Sequence, residues 1–238
     1  MKLLIDRRGN KRLCGGDIVH TDLGVVDLTT TVNGRVKSHL GHEFCVLEPR
    51  VLDIYEKMPR AGSLILKKDL GAIIANTGVG TGDIVVDAGA GSGGTAIILG
   101  WLVMPTGKVY TYEKREKHAE IARKNIALAG LSDYVEVKLQ DIEEGIEENP
   151  DVITLDLPEP WKVAQNAHEV LKRGGSIAVY NPYVEQARKG HLALREAGFR
   201  EVRTIEILER EIEVKAVGTR PKTRMLGHTA YITFGRKY

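Results

Sequence analysis

The sequence has few cysteines, few aromatics, no long apolar run and almost no net charge, and each shortage narrows what the protein can be. Cys14 and Cys45 are its only cysteines. Two thiols build neither a disulfide framework nor a metal-ligand cluster, and they suit small buried side chains in a reducing cytoplasm. No apolar stretch reaches the roughly 20 residues that cross a bilayer, and the chain does not open on a basic, apolar and small-residue succession. Neither membrane insertion nor secretion is expected, and a cytoplasmic location is. Lysine and arginine number 34 against 32 aspartates and glutamates, a formal net charge of +2, so overall charge does not announce a nucleic-acid partner. Repeats and low-complexity tracts are also missing. What is present is ordinary for a globular protein: 238 residues, 42% hydrophobic and 28% charged, enough for one substantial core and a small accessory module.

Charge does cluster locally. Lys215, Arg220, Lys222 and Arg224 form a basic run that is a candidate for phosphate contact. Glu143, Glu144, Glu147 and Glu148 form an acidic run whose expected fate is a solvated face.

Residues 1–58 read as a small β-rich module. Leu3 to Asp6, Asp17 to His20, Gly24 to Asp27 and Val32 to Lys37 are brief β-prone runs among Arg8-Gly9-Asn10, Gly15-Gly16 and Asn33-Gly34, the last a strong hairpin signal. A helix is expected from Pro49 to Met58, because proline suits a first helical turn and Pro59 stops it. Residues 59–238 change to alternating strands and helices. Strands are expected at Ile84 to Val86, Val109 to Tyr112, Val135 to Leu139, Val152 to Leu155 and Ile177 to Tyr180. Helices are expected at Thr95 to Val103, Lys114 to Ala129, Trp161 to Leu171 and Val184 to Ala197. Such alternation argues a parallel sheet covered on both faces. The ending differs: Phe199 to Val214 and Thr229 to Phe234 are strand-like with no helical pattern between them, so they should pair antiparallel. The expected fold is α/β, a Rossmann-like, mostly parallel sheet of the class I methyltransferase kind, closed by a C-terminal antiparallel hairpin.

The most informative segment is Val85-Val86-Asp87-Ala88-Gly89-Ala90-Gly91-Ser92-Gly93-Gly94. A strand runs into a glycine-rich turn and a helix begins at once, at the strand's carboxyl end, where open α/β sheets bind ligands. Glycines permit positive φ and close approach of a ligand to the backbone. Gly89-x-Gly91-x-x-Gly94 alone also satisfies the dinucleotide fingerprint. Glu113 ends the second strand, where a carboxylate can accept from both ribose hydroxyls of either nucleoside cofactor. Asp141 follows the third strand, where an acid or its neighbouring backbone meets an adenine amino group. Asp87 can steady the loop or accept from a methionine ammonium.

After the fourth strand comes Asp156-Leu157-Pro158-Glu159-Pro160-Trp161. With that segment the sequence resembles the tRNA (adenine-N1)-methyltransferase family over nearly its whole length. Further matching residues are Met58-Pro59-Arg60, Lys68-Asp69, Tyr180 with Gln186, and Gly227-His228-Thr229-Ala230-Tyr231-Ile232-Thr233-Phe234. Where the family shows a Gln and a Tyr-Pro-Lys-Asp stretch, this chain has Ser63 and Leu66-Lys67-Lys68-Asp69, so only Lys68 and Asp69 carry over. The resemblance implies S-adenosyl-L-methionine as cofactor, N1 of a T-loop adenine as acceptor (position 58, with 57 added in archaeal members), tRNA as partner, and a homotetramer. The implied cofactor contacts are Asp87, Gly89, Ala90, Gly91, Ser92, Gly93, Gly94, Glu113, Lys114, His118, Gln140, Asp141, Ile142 and Asp156. Asp156 and Tyr180 are the implied catalytic pair. Asp156 would accept from the exocyclic amino group of adenine. Tyr180 would stack on or hydrogen-bond the base, or pack at the strand end. His228 meets RNA or is a satisfied strand histidine. Rival readings are a precorrin-like small-molecule methyltransferase, an NAD-dependent oxidoreductase, and a non-catalytic RNA-binding subunit. The oxidoreductase lacks a hydride-relay constellation, and the partner subunit should have lost the glycine loop or Asp156.

Overall fold

In the computed structural model, which describes residues 1–238, alternating hydrophobicity and glycine turns give one unit and buried apolar strands give another, Met1–Arg60 and Ala61–Tyr238. The first unit contains β1 (Lys2–Asp6), β2 (Lys11–Cys14), β3 (Ile18–Thr21), β4 (Gly24–Asp27), β5 (Arg35–Lys37), β6 (Glu43–Leu47) and α1 (Val51–Lys57). Its antiparallel sheet runs β2-β1-β6-β5, with β3 and β4 paired as a separate hairpin. Leu4, Val26, Val36, Phe44 and Val46 fill its core. The Asn33-Gly34 turn forms as read, with φ of 50° and 71°, but it sits inside the expected Val32–Lys37 strand, so only Arg35–Lys37 is a strand. Residues β2 and β6 were not expected as strands. β2 is short and carries two cations, whereas β6 shows a plain alternation of Phe44 and Val46 inward. Helix α1 starts at Val51, two residues later than Pro49, because the Asp53 carboxylate accepts from the Arg50 N–H at 3.0 Å and sets the start there.

The second unit contains α2 (Lys67–Thr77), β7 (Ile84–Ala88), α3 (Gly94–Val103), β8 (Lys108–Tyr112), α4 (Glu116–Leu128), β9 (Val135–Lys138), β10 (Val152–Leu155), α5 (Ala164–Val170), β11 (Ser176–Asn181), α6 (Val184–Glu196), β12 (Arg200–Glu206), β13 (Ile212–Lys215), β14 (Gly218–Pro221) and β15 (Tyr231–Arg236). The seven-stranded sheet has the order β12-β15-β11-β10-β7-β8-β9. β7 through β11 are parallel, and β15 pairs antiparallel with both β11 and β12. This is the expected fold class. All four residues of β10 are buried, the continuous apolar run of a strand covered on both faces. The chain leaves β7 toward β8 on one side and returns at β10 on the other, so a crevice opens at the carboxyl end of β7. No helix is long and apolar enough to cross a membrane.

Three expectations need correction here. Helix α2 was not foreseen: it has no capping side chain and carries Gly71, and burial of Leu70 and Ile73 holds it instead. The Trp161–Leu171 helix is a 3-10 turn at Pro160–Lys162 followed by α5. Phe199–Val214 is not one strand. It breaks after Glu206, because the polar stretch from Glu209 to Glu211 has no strand of the main sheet to pair with, and β13 folds onto β14 as a separate ribbon.

Candidate cofactor and acceptor site

A cavity of about 630 Å³ lies at the carboxyl ends of β7, β8 and β10, a volume in the range of small-molecule sites. Its floor is the glycine turn. Gly91 and Gly93 have φ of 53° and 82°, and α3 starts at Gly94. At Gly93 a Cβ would stand 3.2 Å from Ala122 Cα, so this glycine serves close packing of the turn on α4 and does not line the cavity. Gly89, Ala90, Gly91, Ser92 and Gly94 do line it. Ser92 is buried beneath, its Oγ accepting from the Ala61 N–H at 2.7 Å and its carbonyl from Asn125 Nδ2 at 2.8 Å.

Asp87 does not reach the cavity. It is 3% exposed, and its carboxylate oxygens accept from the Thr111 and Thr154 hydroxyls, each at 2.6 Å. It therefore ties β7 to β8 and β10 and steadies the start of the glycine turn. Burial pushes its carboxyl upward against those two hydrogen bonds.

Glu113 follows β8, lines the cavity and is 4% exposed. It accepts from the Gly91 N–H at 3.1 Å, from the Arg115 N–H at 3.0 Å and from Arg115 Nε at 3.0 Å. Burial works against its charge, but the Arg115 and Gly91 bonds outweigh burial and hold the carboxyl below its ordinary range. His118 Nδ1 lies 3.9 Å from Glu113 and has no hydrogen-bond partner. Lys114 pairs with Asp141 at 2.9 Å, and Asp141 also caps the Ile142–Glu144 turn through the Glu143 N–H. The Lys114 ammonium beside it, helped by the Glu143 N–H, holds the Asp141 carboxyl below its ordinary range. Gln140 and Ile142 flank it in the cavity wall.

Asp156 stands where the loop after β10 crosses the glycine turn. Its N–H donates to the Ala88 carbonyl at 2.5 Å, and its carbonyl accepts from the Gly89 N–H at 3.5 Å. Water reaches the side chain from the mouth of the cleft, while protein crowds its remaining sides. Lost hydration, with the Asp87 charge behind it, pushes its carboxyl up to about 6.

Tyr180 is not in the cavity wall. Its hydroxyl lies 3.4 Å from Asp69 in a buried network. Lys68 Nζ donates to Asp69 at 2.6 Å, to the Ile207 carbonyl at 2.7 Å and to the Thr229 hydroxyl at 2.7 Å, and Thr229 donates to Asp69 at 2.8 Å. Burial and the Asp69 charge raise the Tyr180 phenol. Among the alternatives, the structure therefore favours packing at the strand end over contact with a base. His228 lies just before β15 and bonds Glu206 at 2.6 Å and the Pro182 carbonyl at 2.7 Å.

Each charged run departs from its reading only in part: Glu143, Glu144 and Glu147 are exposed as expected. Lys215 and Arg220 pair with Glu213, and Lys222 with Glu211, so the ribbon's basic residues are matched by its own acids. Glu148 is not on a solvated face: it accepts from the Tyr112 hydroxyl at 2.6 Å and pairs with Lys138. Burial and that carboxylate push the Tyr112 phenol up to about 12. Sequence reading missed the wall formed by Ala61 to Ile65, and also Tyr112, Arg115 and Pro182. Nothing local in Ala61-Gly62-Ser63-Leu64-Ile65 signals a ligand.

The family model for the tRNA methyltransferase complex GCD14 subunit matches residues 55–219. The chain belongs to this family. A relative from Methanocaldococcus jannaschii, the tRNA (adenine(57)-N(1)/adenine(58)-N(1))-methyltransferase TrmI, is 42% identical, covering 99% of this chain and 94% of that one. Among solved structures, a SAM-dependent O-methyltransferase from Thermotoga maritima superposes with a TM-score of 0.90 at 33% identity, over 99% of this chain and 92% of that one. The tRNA (m1A58) methyltransferase TrmI from Aquifex aeolicus gives 0.81 at 25% identity, over 100% and 96%. Both solved structures share the fold of this chain over nearly its whole length.

Proposed function

We propose that this chain transfers a methyl group from S-adenosyl-L-methionine to N1 of adenine in the T-loop of tRNA, at position 58 and also at 57, with catalysis in Ala61–Tyr238. One observation carries the chemistry. The carboxylates lining the cavity are Glu113, Asp141, Glu143, Asp156 and Glu159, and Asp156 alone has neither a cation nor a hydrogen-bond donor at its side chain. An exposed carboxylate in the cavity wall with no protein partner is free to accept from donors that a ligand brings. Methylation at N1 leaves the adenine positively charged and releases no proton. That product needs a carboxylate beside it and no general base.

The cavity fits the cofactor. Gly89 and Gly91 present backbone without Cβ atoms, and Glu113 is held as an anion where ribose hydroxyls can donate to it. Bound there, the cofactor supplies an electrophilic sulfonium methyl. Asp156 accepts from the exocyclic amino group, which orients N1, and its charge offsets the cation that develops on the base. N1 lies on the pairing edge, so the adenine leaves its tertiary contacts and enters the cavity, at a cost of a few kcal/mol. Site roles are proposed for Gly89, Ala90, Gly91, Ser92, Gly94, Glu113, Lys114, His118, Gln140, Asp141 and Ile142 on the cofactor and for Asp156 between cofactor and base. Ile212, Val214 and Val217, exposed by 55%, 76% and 96% on the β13–β14 ribbon, give a homotetramer an apolar face to cover.

Two features support tRNA over a small molecule. The relative that matches almost the whole chain is named for tRNA, and the Asp-Leu-Pro-x-Pro-Trp segment lines the cavity at Asp156, Leu157, Pro158 and Glu159. The test is transfer of labelled methyl to unmodified tRNA, followed by nucleoside analysis. Label in 1-methyladenosine is expected. Demonstrable cofactor binding with no labelled nucleoside would overturn the proposal.

A further inference from the structure

The loop that carries Asp156 is gripped by two side-chain amides from the next strand–helix junction. Asn181, the last residue of β11 and 1% exposed, donates from Nδ2 to the Leu157 carbonyl at 3.4 Å. Gln186, in the first turn of α6, donates from Nε2 to the Pro158 carbonyl at 3.0 Å. On its other flank the loop is tied to the glycine turn through the Asp156 N–H and carbonyl. The prolines at 158 and 160 fix φ at their own positions, but they leave the peptide planes free to rotate about ψ. Hydrogen bonds to the two carbonyls fix those planes.

The amide oxygens of both residues, Asn181 Oδ1 and Gln186 Oε1, are buried without partners. A half-satisfied buried amide packs no better than an apolar side chain of similar shape and costs stability beside it. Core filling therefore does not call for an amide at either position. The donors' visible task is to hold consecutive carbonyls of the Asp156 loop.

We propose that Asn181 and Gln186 are positioning residues for methyl transfer, fixing the Leu157–Pro158 backbone so that the Asp156 carboxylate stays at the acceptor end of the cavity. The inference rests on the proposed reaction and goes beyond it by assigning the rigidity of the loop to Asn181, which lies outside the cavity wall, and to Gln186, which stands in that wall and acts through the Pro158 carbonyl. A displaced carboxylate loses alignment with the base, and misplacement of about 1 Å costs up to roughly a hundredfold in rate.

Gln186→Leu removes the donor at nearly constant size. Its effect is read as single-turnover rate on tRNA, cofactor affinity and Tm, in the wild-type and Asp156→Asn backgrounds. The expected result is a rate lowered roughly tenfold to a hundredfold, cofactor affinity within about twofold, and a Tm equal to or above wild type. In the Asp156→Asn background the same change should alter the rate by less than about twofold, because residues acting through one group are not additive. A wild-type rate for Gln186→Leu, an undiminished loss in the Asp156→Asn background, or a rate loss that follows a falling Tm would each overturn the positioning role. Should leucine prevent folding, Gln186→Met repeats the test with a more adaptable side chain. Wild-type protein that labels no adenine overturns the proposed function itself, whereas labelling beside an unaffected Gln186→Leu overturns the positioning role alone.

Discussion

The two halves of the sheet position their groups by different means. Around β7 and β8 the carboxylates in the cavity wall are held by partners no more than 27 positions away: Glu113 bonds Gly91 and Arg115, and Asp141 bonds Glu143 and Lys114. Around β11 and β15 the partners are side chains far apart in sequence. Lys68 meets Thr229 across 161 positions, and Tyr180 meets Asp69 across 111. The first half is open to water at its ion pairs, with Lys114 62% and Arg115 61% exposed, while Lys68 is 9% and Asp69 0% exposed. Exposed pairs contribute little, and a buried pair is costly to break, so the halves should fail differently.

The sharpest break of this contrast is Asp69→Ala. It leaves the Lys68 ammonium buried with only the Ile207 carbonyl and the Thr229 hydroxyl, and loss of one buried partner costs about 3–5 kcal/mol. A Tm lowered by roughly 10 °C or more is expected in a melting experiment. A drop of a degree or two would show that the network contributes no more than a surface pair. Next in size is Glu113→Gln, which removes a charged acceptor from the proposed ribose contact. Hydrogen bonds to charged groups are worth about 1.5–3 kcal/mol, so cofactor affinity should fall roughly 10- to 100-fold in a titration while the fold persists. Unchanged affinity would remove Glu113 from the site.

A pH profile separates Asp156 from both. With its carboxyl raised to about 6, the anion predominates only above that value, so turnover should be level at neutral pH and fall about tenfold per unit below 6. Stability runs the other way. A carboxyl whose folded value lies above its unfolded one favours the fold most at low pH, below the unfolded value of 3.8, and loses that contribution as pH rises through about 6. Asp156→Asn should therefore cost activity yet raise Tm at neutral pH, with the gain fading toward pH 4. A Tm that falls at neutral pH would contradict the direction assigned to Asp156.

The same contrast explains what could be read from the chain. The glycine turn, Glu113 and Asp141 were legible because each sits at a strand end within a short, patterned segment, and local sequence carries that information. Asp156 was legible through the proline-rich segment around it. Asp87 was placed at the right turn but given a cofactor contact; only the registers of β8 and β10 bring Thr111 and Thr154 onto its carboxylate. Tyr180 stayed open between facing the base and packing at the strand end, because nothing in its neighbourhood reveals Asp69. Helix α2, which supplies that acid, escaped notice because tertiary burial holds it and its own pattern is weak. Arg220 and Lys222 look free along the sequence and meet Glu213 and Glu211 only once β13 folds onto β14.

Lys114→Ala should produce the smallest effect. Lys114 lines the cavity and bonds Asp141 at 2.9 Å, the kind of contact that suggests importance on inspection. Yet the ammonium is largely hydrated, and an exposed pair yields about 0–1 kcal/mol after side-chain ordering and salt screening. Asp141 keeps its bond to the Glu143 N–H without the lysine, so the turn that shapes the wall should survive. Tm is expected to move by no more than about 2 °C, and cofactor affinity by no more than about fivefold. Both changes should shrink further in high salt. A loss comparable with that of Asp69→Ala would mean that hydrated pairs hold the half around β7 and β8. Backbone and glycine would then no longer explain why that half tolerates exposure while the half around β11 and β15 depends on burial.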